Sequence, residues 1–127
     1  MKIIITLFTI SLIHGTLITP HNGSTIYHTH VLFEWKQIPE ATSYEIQIAE
    51  DLDFSTIVEQ SQDSSLILIQ KEHIEWNHTY YWRIRPLYNT VVGLWSNPFS
   101  FYTGQPLSSS SANIINQSQI QSGVTVF

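Results

Sequence analysis

Six histidines and ten carboxylates are the side chains of this 127-residue chain that could do chemistry, and their spacing limits what they can do. His28-Thr29-His30 sets two imidazoles on one side of an extended backbone, with His21 upstream. A zinc centre needs further ligands and partners behind them, and the neighbouring sequence supplies neither. His73 and His78 are five apart with Glu75 between them, not the four-apart helical pair of zinc proteases. Asp51, Asp53 and Ser55 imitate the first three ligands of a calcium loop. Position six, however, is Thr56 instead of glycine, and position twelve is Gln62 instead of a bidentate glutamate. A high-affinity calcium site is excluded; weak calcium binding by Glu50, Asp51 and Asp53 stays open beside the ordinary reading, a solvated turn in which Asp53 caps the backbone ahead of Phe54.

Other chemistries fall away by composition. Cysteine is absent, which removes thiol nucleophiles, thiolate metal sites and disulfides together. Neither a Gly-x-Ser-x-Gly elbow nor a glycine-rich phosphate loop is present, and the carboxylates are scattered instead of paired across one cleft. The net charge of -5 offers no basic stripe to a nucleic-acid backbone. No catalytic, cofactor-binding or metal-binding residue is assigned, no cofactor is expected, and nucleic acid is not expected as a partner.

One row of side chains survives this sorting. Tyr81, Arg83 and Arg85 alternate on one face of an extended run, with Tyr102 and Trp76 as further exposed aromatics. Such a surface could stack on a carbohydrate or a protein partner. The competing and favoured reading is a cross-strand ladder in which Arg83 pairs with Glu45 and lies over Tyr81 or Tyr102.

The elements that must position these residues are strands. Between residues 17 and 103 apolar residues recur at period two, not at helical spacing, between turn-rich breaks. Strands are expected at residues 17–19, 31–35, 44–49, 57–59, 66–69, 79–87 and 95–103, separated by Asn22-Gly23, Pro39 to Thr42, an acidic turn and Gly93. Phe33, Trp35, Tyr44, Ile46, Ile48, Tyr80, Trp82, Ile84 and Phe101 should point inward. Seven short strands at this spacing predict an all-β sandwich.

At these residues the sequence resembles the fibronectin type III family, particularly modules of secreted bacterial proteins. The likeness covers residues 17–104. It rests on Pro20 with Asn22-Gly23, on Phe33-Glu34-Trp35, on Pro39-Glu40-Ala41-Thr42-Ser43-Tyr44, on Asp53-Phe54-Ser55, on Thr79-Tyr80-Tyr81-Trp82-Arg83-Ile84-Arg85, and on Trp95-Ser96 followed by Ser100-Phe101. The resemblance implies a seven-stranded immunoglobulin-like sandwich with a tyrosine corner at Tyr80, six residues after Ile74, its hydroxyl returning to a backbone group. The family usually carries proline where this chain has Trp76. What the resemblance implies for function is a non-catalytic binding or spacer module. The alternative is the N-terminal accessory domain of a larger secreted enzyme, of an arylsulfotransferase-like or carbohydrate-active kind.

The flanks read differently. Lys2, an apolar run over residues 3–13 and Gly15 have the form of a secretory signal over residues 1–15, the alternative being a first strand at the β-branched Ile3 to Ile5. That run is too short to cross a bilayer, which needs about 20 residues, so no membrane span is expected after cleavage. The protein is expected to be secreted, periplasmic or displayed at the cell surface. Beyond a folded unit at residues 16–104, residues 105–127 have linker composition, with Pro106 and four consecutive serines. The closing Gly123-Val124-Thr125-Val126-Phe127 reads as the start of a further domain; the competing readings are a terminal tail or an edge strand added to the sandwich. Asn22, Asn77 and Asn116 each open an Asn-x-Ser/Thr glycosylation acceptor.

Overall fold

The computed structural model describes residues 16–106; the expected signal peptide, most of the linker and Asn116 lie outside the described residues. Eight strands follow one another: β1 (Leu17–Thr19), β2 (Ser24–Ile26), β3 (Val31–Trp35), β4 (Ser43–Ala49), β5 (Ile57–Asp63), β6 (Ile67–Gln70), β7 (Thr79–Leu87) and β8 (Phe99–Thr103). They form a three-stranded sheet in the order β1-β3-β6 and a five-stranded sheet in the order β2-β8-β7-β4-β5. The described residues contain no helix, and so none long and apolar enough to cross a membrane.

Period-two burial is what drives the two sheets together. Along β4 and β7 the inward residues Tyr44, Ile46, Ile48, Tyr80, Trp82 and Ile84 are buried, while Glu45, Gln47, Tyr81, Arg83 and Arg85 between them are half-buried on the outer face. Phe33 and Trp35 of β3 meet them from the opposite sheet. Phe33 sits edge-on to Trp82 at 5.1 Å and to Phe101 at 5.7 Å, and Trp35 edge-on to Tyr44 at 5.8 Å. These are favoured aromatic geometries, and each ring also removes a large apolar area from water. The Tyr44 hydroxyl accepts a hydrogen bond from the Ile38 amide at 2.8 Å, so the one polar atom of that ring is satisfied inside the core.

β4 and β6 shift from the expected bounds by a single residue, and three larger departures each have a local reason. The segment after β1 is not only a turn. Asn22 accepts the Ser100 amide through its side-chain oxygen at 2.9 Å, and Gly23 takes φ +76°. The chain is thereby redirected so that Ser24–Ile26 pairs in parallel with β8, an eighth strand in place of the expected seven. The last strand begins at Phe99 and not at Trp95, because Asn97-Pro98 interrupts the run and Pro98 has no amide to donate. Ser96 keeps the break tied down: its amide donates to the Ile84 carbonyl at 2.8 Å, and its hydroxyl accepts the Ile84 amide at 3.1 Å. β5 runs four residues further than expected, to Asp63, because all of that length pairs with β4.

Both ends of the unit are fixed by backbone bonds. The Lys36 amide donates to Thr16 beside the loop that follows β3, at 3.0 Å. The Gly104 amide donates to Ile26 at 2.8 Å, where β2 and β8 finish. Since β3 ends where β4 begins, and β8 ends opposite the start of β7, the chain enters at one pole of the sandwich and leaves at the other.

Candidate functional surface

Register decides which outer side chains can meet. On the face of the five-stranded sheet turned away from the core, Glu45 stands opposite Arg85 and Gln47 opposite Arg83, with Gln62 and Gln60 alongside on β5. The result is a closed polar network. Arg85 grips Glu45 through Nε at 2.7 Å and Nη2 at 2.6 Å, while Arg83 donates to the Gln47 side-chain oxygen through Nε at 3.0 Å and Nη2 at 2.7 Å. Gln47 in turn donates to Gln60 at 3.0 Å, and Gln60 donates to the second oxygen of Glu45.

This ladder corrects the expected pairing. Arg83 does not bond Glu45, because the β4–β7 register places that carboxylate two residues along, at Arg85. Nor does Arg83 lie over Tyr81 or Tyr102. Its guanidinium carbon is 3.9 Å from the centre of the Phe54 ring and 4.4 Å from that of Trp95, and Arg85 also lies 4.4 Å from Trp95. The aromatic plates come from the loops that flank the sheet, not from its strands. Burial lowers the Arg83 pKa below its usual value and the neighbouring Arg85 adds to this, with Glu45 opposing.

Phe54 reaches that position through a braced turn. The Asp51 carboxylate accepts the Ser55 amide at 3.0 Å, the Ser55 hydroxyl at 2.7 Å and the Thr56 amide at 2.7 Å, while the Phe54 amide donates to the Asp51 carbonyl at 3.1 Å. Phe54 adopts φ +56°, which turns its ring back onto the sheet. The capping residue is therefore Asp51 and not Asp53. The bonds from Ser55, first through its amide and then its hydroxyl, and from the Thr56 amide lower the Asp51 pKa from 3.8 to about 2. Those same bonds occupy both oxygens of the first supposed calcium ligand. No group of three His, Cys, Asp or Glu side chains able to hold a metal ion occurs among the described residues.

The other two candidate residues lie apart from the ladder. Tyr102 stands opposite Thr79, and its hydroxyl donates to Asn77 at 3.4 Å. Trp76 belongs to the neighbouring turn, where its carbonyl meets the His78 ring at 2.7 Å. Tyr81, opposite Ser100, lies between the two groups. No ring or guanidinium contact joins Tyr102 or Trp76 to Arg83 or Arg85 among the described residues. Asn22 and Asn77, the two described glycosylation acceptors, are both exposed.

At the expected corner the Tyr80 hydroxyl accepts the Glu75 amide at 2.9 Å; the backbone partner is Glu75, one residue past Ile74, which packs in the core instead. Burial is the main cause raising the Tyr80 pKa. Without the family's proline, Thr103 shapes this turn. Its hydroxyl donates to the Glu75 carbonyl and accepts the His78 amide at 3.1 Å, and its carbonyl accepts the Asn77 amide. Gln47 and Glu45 border the row where alternation on β4 places them, whereas Phe54, Trp95 and Thr103 lie outside the set that alternation outlines. Their roles depend on register and on loop approach, although the Trp95-Ser96 pair was itself a visible signal.

No family model matches this chain, and no curated protein matches it. Among solved structures it is similar to the solution structure of the sixth fibronectin type III domain from human fibronectin type III domain containing protein 3. The two share 14% identity and a TM-score of 0.54, over 75% of this chain and 85% of that one. At that identity the likeness establishes the fold: a fibronectin-type-III-like β-sandwich.

Proposed function

We propose that this chain works as a non-catalytic spacer or binding module, set in line with the polypeptide that carries it. The observation that carries the reading is the position of the two ends. Thr16 is bound beside Lys36 at one pole and Gly104 beside Ile26 at the other, so the sandwich extends a chain instead of looping it back. The fold at large supports a module without turnover, although folds of this kind host many roles. The outer sheet face supports it too, because Arg83, Arg85, Glu45 and Gln47 are bonded to one another. The apolar N-terminal run favours secretion or display at a cell surface.

An N-terminal accessory domain of a larger secreted protein fits the same geometry, since Gly104 delivers the chain to the pole away from its start. Spin labels at Thr16 and Gln105 test the in-line arrangement. Along the nine residues of β7 at about 3.3 Å each, a single narrow distance near 30 Å is expected. A broad distribution, or one centred well below about 20 Å, would remove the basis for a spacer. Reproducible ester, glycoside, peptide or sulfate-ester turnover that vanishes in Glu45→Gln would overturn the non-catalytic half of the reading.

A further inference from the structure

We propose that β6 is the surface through which this chain pairs with a second copy of itself, edge to edge and antiparallel about a two-fold axis. Among the described residues β6 closes one side of the three-stranded sheet and pairs with β3 alone. The Trp35 amide donates to the Leu66 carbonyl at 3.1 Å, which makes residues 66 and 35 a bonded pair. Antiparallel ladders alternate bonded and non-bonded pairs. Leu68 and Gln70 therefore turn their amides and carbonyls to β3, and Ile67 and Ile69 turn theirs to the open side. Among the described residues only the Ile67 carbonyl of those four groups has a partner, the Ser65 hydroxyl at 3.1 Å, and that oxygen keeps a second lone pair.

Natural sheets usually protect such an edge with charge, proline, a bulge or shortness. β6 reads Ile-Leu-Ile-Gln and pairs with β3 without a register break, so it carries none of the first three devices. Its outward side chains are apolar as well: Ile67 is 47% exposed, Ile69 54%, and Leu32, opposite Ile69 on β3, 39%. An aliphatic stripe thus runs up to an unpaired backbone edge.

The same strand is its own best partner. A two-fold axis through Leu68 sets Ile67 opposite Ile69 of the partner subunit, and Ile69 opposite Ile67 of the partner subunit. Both are bonded pairs, and all four isoleucines fall on one face with Leu32 beside them. A one-residue slip would set these isoleucines against inward-facing positions. Charge selects this edge over the others. The chain carries -5, so a copy approaches most favourably where neither surface is charged. The longest edge, β5, carries Glu59 and Asp63, which a two-fold pairing about Ser61 would bring face to face. β1 and β2 are three residues each. The carboxylate nearest to the stripe on its face, Glu34, lies one strand in from the edge.

Sedimentation velocity of the full chain over a concentration series, at low and at moderate salt, tests the pairing. A reversible dimer is expected, strengthened by salt as the like net charges are screened. Ile69→Lys should weaken it by about tenfold or more, because the two-fold brings positive charges together, while Ile57→Lys on the β5 edge should leave it unchanged. Circular dichroism melts of both variants establish that they remain folded; if Ile69→Lys unfolds, Ile69→Thr is read in its place. A chain that stays monomeric at every concentration overturns the proposal, as does a dimer indifferent to Ile69→Lys. So does a monomer whose Ile67 and Ile69 amides are protected from exchange until residues 107–127 are deleted, since the edge would then belong to the chain's own tail.

Discussion

Asp51 sets the turn that delivers Phe54 to Arg83, and its carboxylate is ionised while it does so. Its pKa is about 2 in the folded chain, against an ordinary 3.8. A depressed carboxylate contributes stability that is complete above the unfolded value and is lost as pH falls towards the folded one, here between about 4 and about 2. Asp51→Ala should therefore melt at a lower temperature than the parent at pH 7, with the gap closing as pH approaches 2. A gap independent of pH would mean that the carboxylate is not the brace. Tyr80 and Tyr81 form a second contrast. Tyr80 is fully buried with its hydroxyl on the Glu75 amide, so Tyr80→Phe should lose about 0.5–1.5 kcal/mol in urea unfolding. Tyr81, half-buried on the outer face, should tolerate the same change almost without loss. Equal losses at the two sites would reverse the facing of β7.

At the scale of elements, β4 and β7 are legible, because alternation over the first six residues of β4 and all nine of β7 leaves one choice of inner face. Phe33, Trp35, Tyr44, Ile46, Ile48, Tyr80, Trp82, Ile84 and Phe101 are buried as expected, while Phe99, which alternation also turns inward, packs half-buried against them. β2 escaped notice because Ser24–Ile26 is too short to show a period, and its pairing with β8 is set by residues 78 positions away, as in the Asn22 to Ser100 bond. The ladder was legible as a kind of object and not in its pairs. Composition put Arg and Glu on one face, but a register of two residues decides that Glu45 belongs to Arg85. Ser96 carries an element-scale prediction. Its hydroxyl is the acceptor for the buried Ile84 amide in the middle of β7, so Ser96→Ala strands that amide at a cost of about 1–3 kcal/mol. Faster hydrogen exchange at Ile84 than at Trp82 in the variant would localise the loss; unchanged exchange would contradict it.

For the whole molecule, the proposed spacer role is what would join the two poles to the braced face. A module that holds its two ends apart has to resist shear between β4, β7 and β5, and the Arg83, Gln47, Gln60, Glu45 and Arg85 network ties those three strands side chain to side chain. Residues 16–104 should be sufficient for this. Deleting residues 105–127 should leave the thermal midpoint nearly unchanged, and a fall of several degrees would place part of that segment in the fold. Whether the outer face is a brace or a surface held open for a ligand turns on Trp95, which lies 4.4 Å from both guanidinium groups. Thermal unfolding of Trp95→Ala, beside Trp95→Phe, separates the two. A brace predicts a loss of about 1–3 kcal/mol in the alanine variant, a midpoint lower by several degrees, and partial recovery in the phenylalanine variant. A midpoint unmoved by Trp95→Ala would contradict it, leaving Arg83, Arg85 and Trp95 as groups the fold can do without.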